Sequence, residues 1–93
     1  GDGVGTGFQL LNATGTNSIS DNTVEDFAIG IHNSGSNGTQ IGVNTLNDNT
    51  TGLRINPSSN VVVDGLIVNG GVTGIEVVGG DSNTVKNSNI DNV

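Results

Sequence analysis

An all-β fold wound as a short solenoid is predicted, with about four coils of roughly 22 residues and three short strands in each coil. Three observations predict it. A Gly-apolar-x-apolar segment recurs as Gly7-Phe8-Gln9-Leu10, Gly30-Ile31-His32-Asn33, Gly52-Leu53-Arg54-Ile55 and Gly74-Ile75-Glu76-Val77, with Asn33 the one polar residue at the last position. The glycines stand 23, 22 and 22 residues apart. Two further apolar columns, Ile19/Ile41/Val62/Val85 and Val24/Leu46/Ile67/Ile90, keep an offset of five from one another in all four copies. The composition agrees: Val and Ile together outnumber Leu twenty to five, which favours strands, and Phe8 and Phe27 are the only aromatic residues, so the core must be narrow.

Each coil reads in the same order. The Gly-apolar-x-apolar strand comes first, with its apolar positions inward and the x position outward. A polar loop of Gly, Ser, Asn and Asp follows, then the second strand. Three residues past each member of the second column stand Asn22, Asn44, Gly65 and Ser88. Asn and Gly tolerate left-handed backbone at low cost, so these positions are expected to make the bend into the third strand. Asn87 and Asn89 flank Ser88 and offer the same service one residue away. Nothing in a coil repeats at the 3.6-residue helical period, which disfavours strand–helix units. Coils stacked at ~4.8 Å would build a prism about 20 Å tall.

These segments resemble the right-handed parallel β-helix repeats shared by pectate lyases, copper-loading NosD-like periplasmic proteins, mannuronan epimerases and phage tailspikes. The resemblance is carried by Gly52-Leu53-Arg54-Ile55 with Asn60-Val61-Val62 and Ile67. It is closer in Gly74-Ile75-Glu76-Val77 with Ser82-Asn83-Thr84-Val85 and Ile90. In the first coil it runs through Asn17-Ser18-Ile19 and Asn22-Thr23-Val24. It covers essentially the whole chain and implies the parallel β-helix fold. It says little about activity, because the matched positions are structural. The second coil departs from the pattern at Asn33 and Gln40, which predicts a shifted register or a looser core there.

Charge and composition exclude several functions. The formal net charge is −7, and Arg54 and Lys86 are the only basic residues apart from His32. Such a chain repels phosphate backbones and anionic lipid, so nucleic acid is not an expected partner. No apolar run approaches the ~20 residues of a membrane span, so no insertion is expected. There is no cysteine, hence no disulfide frame and no thiolate metal site. The chain starts at Gly1 rather than Met, which reads as a removed leader or as a piece of something longer. An extracellular location, or one on a cell or virion surface, is the expectation. Asn12-Ala13-Thr14, Asn37-Gly38-Thr39 and Asn49-Thr50-Thr51 are glycosylation sequons, a number that chance supplies in a chain this rich in Asn and Thr.

The outward x positions Gln9, His32, Arg54 and Glu76 are expected to form one vertical column, and the ladder Gly7, Gly30, Gly52 and Gly74 beside it to leave an outward trough. A polysaccharide could lie across such a face, with His32, Arg54 and Glu76 as candidate base, charge clamp and acid. A column of opposite charges also stabilises its own stack, and that plainer role needs no ligand. Judged against the enzymes that it resembles, the chain lacks the calcium-binding Asp cluster of a lyase and the paired aspartates of a polygalacturonase. His32 has only Asp21, Asp26 and Asp48 within reach of its coil. The calcium candidates are Gly79-Gly80-Asp81 and Gly1-Asp2-Gly3, without the nonapeptide calcium repeat; no metal site and no cofactor are expected. Thr6, Thr51 and Thr73 form a column that Ile29 interrupts and that should face inward, so ice binding is disfavoured.

Neither terminal coil carries a helical or charged cap. Residues 1–93 are therefore read as a single solenoid module whose ends meet flanking coils of a parent chain or a second copy end to end. The functional expectation is a structural or adhesive module of an exported or phage surface protein in contact with glycans. The alternative is a polysaccharide-acting enzyme, as a lyase, glycoside hydrolase or uronan epimerase, or a fragment of one.

Overall fold

The computed structural model describes residues 1–93 throughout. It holds twelve strands and no helix, with three strands to a coil. The first coil is β1 (Thr6–Leu11), β2 (Ser18–Ile19) and β3 (Thr23–Glu25). The second is β4 (Ile29–Ser34), β5 (Gln40–Ile41) and β6 (Thr45–Asn47). The third is β7 (Thr51–Asn56), β8 (Val62–Asp64) and β9 (Ile67–Asn69). The fourth is β10 (Thr73–Val77), β11 (Thr84–Lys86) and β12 (Asn89–Asp91). Corresponding strands pair in parallel, giving three four-stranded sheets: β1-β4-β7-β10, β2-β5-β8-β11 and β3-β6-β9-β12. The result is a β-solenoid of about four turns with 31 × 26 × 23 Å extents. The one 23-residue step arises between β1 and β2, where the first coil has one residue more than the second.

Four inward columns fill the interior, together with Val61 and Leu66, buried just ahead of the second and third strands of the third coil. On the first sheet they are Phe8-Ile31-Leu53-Ile75 and Leu10-Asn33-Ile55-Val77. The second sheet contributes Ile19-Ile41-Val63-Val85 and the third Val24-Leu46-Val68-Ile90. The third coil thus departs from expectation by one residue. Val63 and Val68 point inward, whereas Val62 is half-buried and Ile67 is exposed. The cause is parity: Val61-Val62-Val63 and Ile67-Val68 are apolar at both alternating positions, so hydropathy cannot choose between them. Pairing to Ile41 and Leu46 chooses the residues 22 positions on. Each aliphatic side chain withdrawn fully from water contributes roughly 1.5–3 kcal/mol.

The second coil keeps its register, against the expected shift. Asn33 pairs with Leu10 on one side and Ile55 on the other and is fully buried. Its Nδ2 donates to the Ser36 carbonyl at 3.1 Å and to Ser58 Oγ at 3.2 Å, while Oδ1 accepts no hydrogen bond. A polar residue in the aliphatic column is tolerated because one end of its amide is satisfied within the coil stack.

The bends agree with expectation at Gly65 and at Asn87, the neighbour of Ser88, and differ at Asn22 and Asn44. Left-handed φ values occur at Asp21, Gly65 and Asn87, one residue before Asn22, Leu66 and Ser88, and Asn22 and Asn44 are not left-handed. Asn44 works through its side chain. Its Oδ1 accepts from the backbone N–H and the Nδ2 of Asn22, and its Nδ2 donates to the carbonyls of Ile19 and Gly42. At a corner the strand-to-strand ladder is interrupted, and a backbone N–H faces the next coil without a carbonyl to meet it. A side-chain oxygen 22 residues later fills the gap repeatedly: Asn49 for Phe27, Ser58 for Ser36, Asn83 for Val61 and Ser88 for Leu66. These corners give Asn44, Asn49, Asn83, Ser58 and Ser88 a structural role.

The two ends are unlike. On the second and third sheets, Val85 and Ile90 of the fourth coil are 45% and 43% exposed whereas Ile19 and Val24 of the first coil are 3% and 8% exposed; on the first sheet both end strands are open, with Phe8 38% and Val77 47% exposed. The chain has no helix long and apolar enough to cross a membrane.

Candidate functional site

The outward column forms as a direct product of strand alternation. Gln9 pairs with His32, His32 with Arg54 and Arg54 with Glu76, so the four side chains follow one another up the first sheet. Gln9 is exposed, and the other three are half-buried by their neighbours along the column. Beside them runs a second outward column, Leu11-Ser34-Asn56-Val78, of which Leu11 and Val78 are exposed.

The glycine ladder does not make a trough. Gly30, Gly52 and Gly74 are buried at the corner where the third sheet meets the first. A Cβ on Gly52 would lie 2.6 Å from the Gly74 carbonyl oxygen and 3.0 Å from Val68 Cγ1, and one on Gly74 would lie 2.5 Å from Ile90 Cγ2. On Gly7 it would strike Val24 Cγ1. At Gly7, Gly52 and Gly74 the inward valine or isoleucine of the third sheet reaches across to the first-sheet backbone, and at Gly30 the Gly52 carbonyl and the Asn49 amide fill the space. The face beside the polar column is therefore flat.

Within the column the charges are paired. Arg54 Nε lies 3.1 Å from Glu76 Oε1, an ion pair whose angle falls outside directed hydrogen-bond geometry. Both side chains remain partly exposed, at 35% and 44%. His32 sits on the other side of Arg54. Its Nε2 is shut off from solvent and makes no hydrogen bond. Burial lowers the imidazole pKa below its ordinary 6.5, and the Arg54 charge lowers it further, so His32 is neutral at pH 7.

This arrangement brings together a neutral imidazole and a guanidinium, and a guanidinium and a carboxylate. It does not bring the imidazole to the carboxylate, because Arg54 intervenes and two strand spacings, about 10 Å, separate them. The remaining carboxylates lie elsewhere. Asp64 pairs in register with Lys86 on the second sheet. Glu25 and Asp91 head and close one outward column of the third sheet, and Asp26 and Asp48 occupy the left-handed turn beside it. No three His, Asp or Glu side chains come close enough to hold a metal ion together. At one calcium candidate, the Asp81 backbone is committed to the coil ladder: its N–H donates to Ser59 Oγ and its carbonyl accepts from Asn60. At the other, Asp2 Oδ1 accepts from the Val4 N–H.

Of the three sequons, Asn49 is buried with both ends of its amide bonded, to the Val24 carbonyl and the Phe27 N–H. Asn37 is exposed, with Oδ1 accepting from the Ser59 N–H, and Asn12 is exposed in the first turn. The Arg54–Glu76 pair is the self-stabilising contact expected of opposite charges 22 residues apart in a 22-residue repeat. Compared with known protein families, with curated proteins and with solved structures, the chain finds no match.

Proposed function

We propose that the chain is a structural or adhesive β-solenoid module of an exported or phage surface protein, and that it meets glycans along Gln9, His32, Arg54 and Glu76. The Arg54–Glu76 pair carries this reading. Two of the three ionisable groups on the face are engaged with each other along the stack, as a structural column requires, while still exposed enough to hydrogen-bond a sugar. The flat first sheet suits an extended chain laid along it. The open apolar edge of the fourth coil suits continued stacking on flanking coils or a second copy of this chain.

A second reading, a polysaccharide lyase, hydrolase or epimerase, is favoured by one observation: a neutral imidazole beside a guanidinium is the state a general base needs. The two separate cleanly. Residues 1–93 are incubated with polysaccharides and assayed both for retention on the polymer and for new reducing ends or unsaturated uronate. The structural reading expects retention without turnover. Turnover that disappears in His32→Ala or Arg54→Ala establishes the enzyme reading instead.

A further inference from the structure

We propose that the Gln9–His32–Arg54–Glu76 face takes uncharged glycans in preference to uronate polymers, and that Glu76 sets this choice. The inference rests on the glycan-contact reading above and narrows it to a substrate class.

Recognition of a uronate carboxylate is best done by a guanidinium presenting two parallel N–H donors. Arg54 is the only permanent cation of the face, and one edge of its fork is occupied: Nε faces Glu76 Oε1 at 3.1 Å. A uronate would have to displace Glu76 or share the cation with it, placing two carboxylates around one guanidinium. Glu76 belongs to β10 and stands directly over Arg54 of β7, so strand pairing holds it there. No second cation relieves the competition. Lys86 lies on the second sheet in register with Asp64, and His32 is uncharged at neutral pH. The whole chain, at −7, adds a repulsive field that acts on a polyanion before contact.

An uncharged sugar meets none of these penalties. Its hydroxyls donate to carboxylate and amide oxygens and accept from amide and guanidinium N–H groups. Gln9, Glu76 and Arg54 offer both kinds of partner along the column, and Ser34 and Asn56 extend them sideways onto the next outward column. The face as a unit is close to neutral because its one cation and one anion cancel.

Glu76→Gln is the decisive variant, since it keeps the shape of the side chain, remains on a partly exposed strand position and releases Arg54. Binding of cellohexaose and of hexagalacturonate to residues 1–93 is measured by titration calorimetry, with circular dichroism confirming the fold of each variant. The wild-type chain should bind the neutral hexamer at least about tenfold more tightly than the uronate, and Glu76→Gln should raise uronate affinity by about tenfold, the gain of one charge-assisted contact. The neutral hexamer, which Glu76 itself contacts, should lose about threefold in affinity, the weakening of one exposed contact, so that the preference narrows from both sides. Adding Arg54→Gln to Glu76→Gln should abolish the uronate gain. Preference of the wild type for uronate, or a Glu76→Gln variant that leaves uronate affinity unchanged, overturns the inference while leaving glycan contact standing. Binding of neither hexamer by the folded wild type overturns both. Should Glu76→Gln unfold, Glu76→Ser provides the same release of Arg54 and the same readings.

Discussion

Asn44 Oδ1 accepts both the backbone N–H and the side-chain Nδ2 of Asn22, one coil away, at 3.1 and 3.0 Å. The amide nitrogen of Asn44 reaches in the opposite sense, to the carbonyls of Ile19 and Gly42. One buried side chain therefore serves backbone groups of two coils at the corner between the second and third sheets.

Unequal costs at the two asparagines follow. Asn44→Ala leaves the part-buried N–H of Asn22 and the Gly42 carbonyl without partners, while the Ile19 carbonyl keeps the Gly42 N–H, and should destabilise the chain by about 2 kcal/mol. Asn22 is only half-buried and its backbone N–H survives truncation, so Asn22→Ala should cost about 1 kcal/mol. Urea denaturation of the two variants checks the difference. Equal losses would show that Asn44 is not the working member of the pair.

A similar contrast separates two kinds of glycine. Gly52 has no room for a methyl group, with the Gly74 carbonyl oxygen 2.6 Å from where it would sit. Gly52→Ala should cost about 3 kcal/mol, the upper range for overpacking. Trimming its other neighbour, as in Gly52→Ala/Val68→Ala, should recover little, because the backbone oxygen stays. Gly38 has open space around it and is special only for its φ of 73°. The residues one and two coils on, Asn60 and Ser82, hold φ of 58° with ordinary side chains. Gly38→Asn should therefore fall within about 0.5 kcal/mol of wild type, as a compatible surface change does. A large loss at Gly38, or none at Gly52, would refute the distinction.

The repeat was legible because a coil of 22 residues writes the same inward positions into the sequence four times. Ile19, Ile41, Val85 and their third-sheet partners stand out where polar residues flank them. The third coil was misplaced by one residue because Val62 and Val63, like Ile67 and Val68, differ only in strand parity, which pairing decides. The direction of Gly52 was invisible for a simpler reason: without a side chain it leaves no hydropathy mark, and only the reach of Val68 reveals that it faces a neighbour. The polar column of Gln9, His32, Arg54 and Glu76 was legible from alternation alone. The pairing of its opposite charges was legible too; that the guanidinium meets Glu76 through Nε depends on side-chain conformation and was not.

Asn33 offers a stabilising change. Its Oδ1 is buried in a column of Leu10, Ile55 and Val77 without a hydrogen bond. Removing the side chain strands neither of its partners. The Ser36 carbonyl still accepts from Thr39 Oγ1, and Ser58 Oγ still donates to Asn56 and accepts from the Ser36 N–H. Asn33→Leu, of similar shape, should thus gain about 1 kcal/mol by eliminating an unpaired buried acceptor. For a domain of this size that raises the melting temperature by about 4–8 °C. A lower melting temperature would mean that the Asn33 amide stabilises the second coil beyond the two bonds it donates.

The pH response should run through His32. Its folded pKa is depressed below 6.5, by burial first and by Arg54 second, so the unfolded chain binds the proton more readily. The contribution to stability is complete above pH 6.5 and is lost as the pH falls toward the folded value. The groups facing the imidazole along its column are Gln9 and Arg54, with Glu76 beyond the guanidinium; none places a carboxylate against it. Protonation therefore sets a second cation beside Arg54. His32→Gln should flatten the fall in urea stability between pH 7 and pH 5 relative to wild type. In Arg54→Gln the imidazole should titrate at higher pH than in wild type, as followed by its proton chemical shifts. An imidazole that titrates at or above 6.5 in the folded wild-type chain would show that neither burial nor the guanidinium governs it.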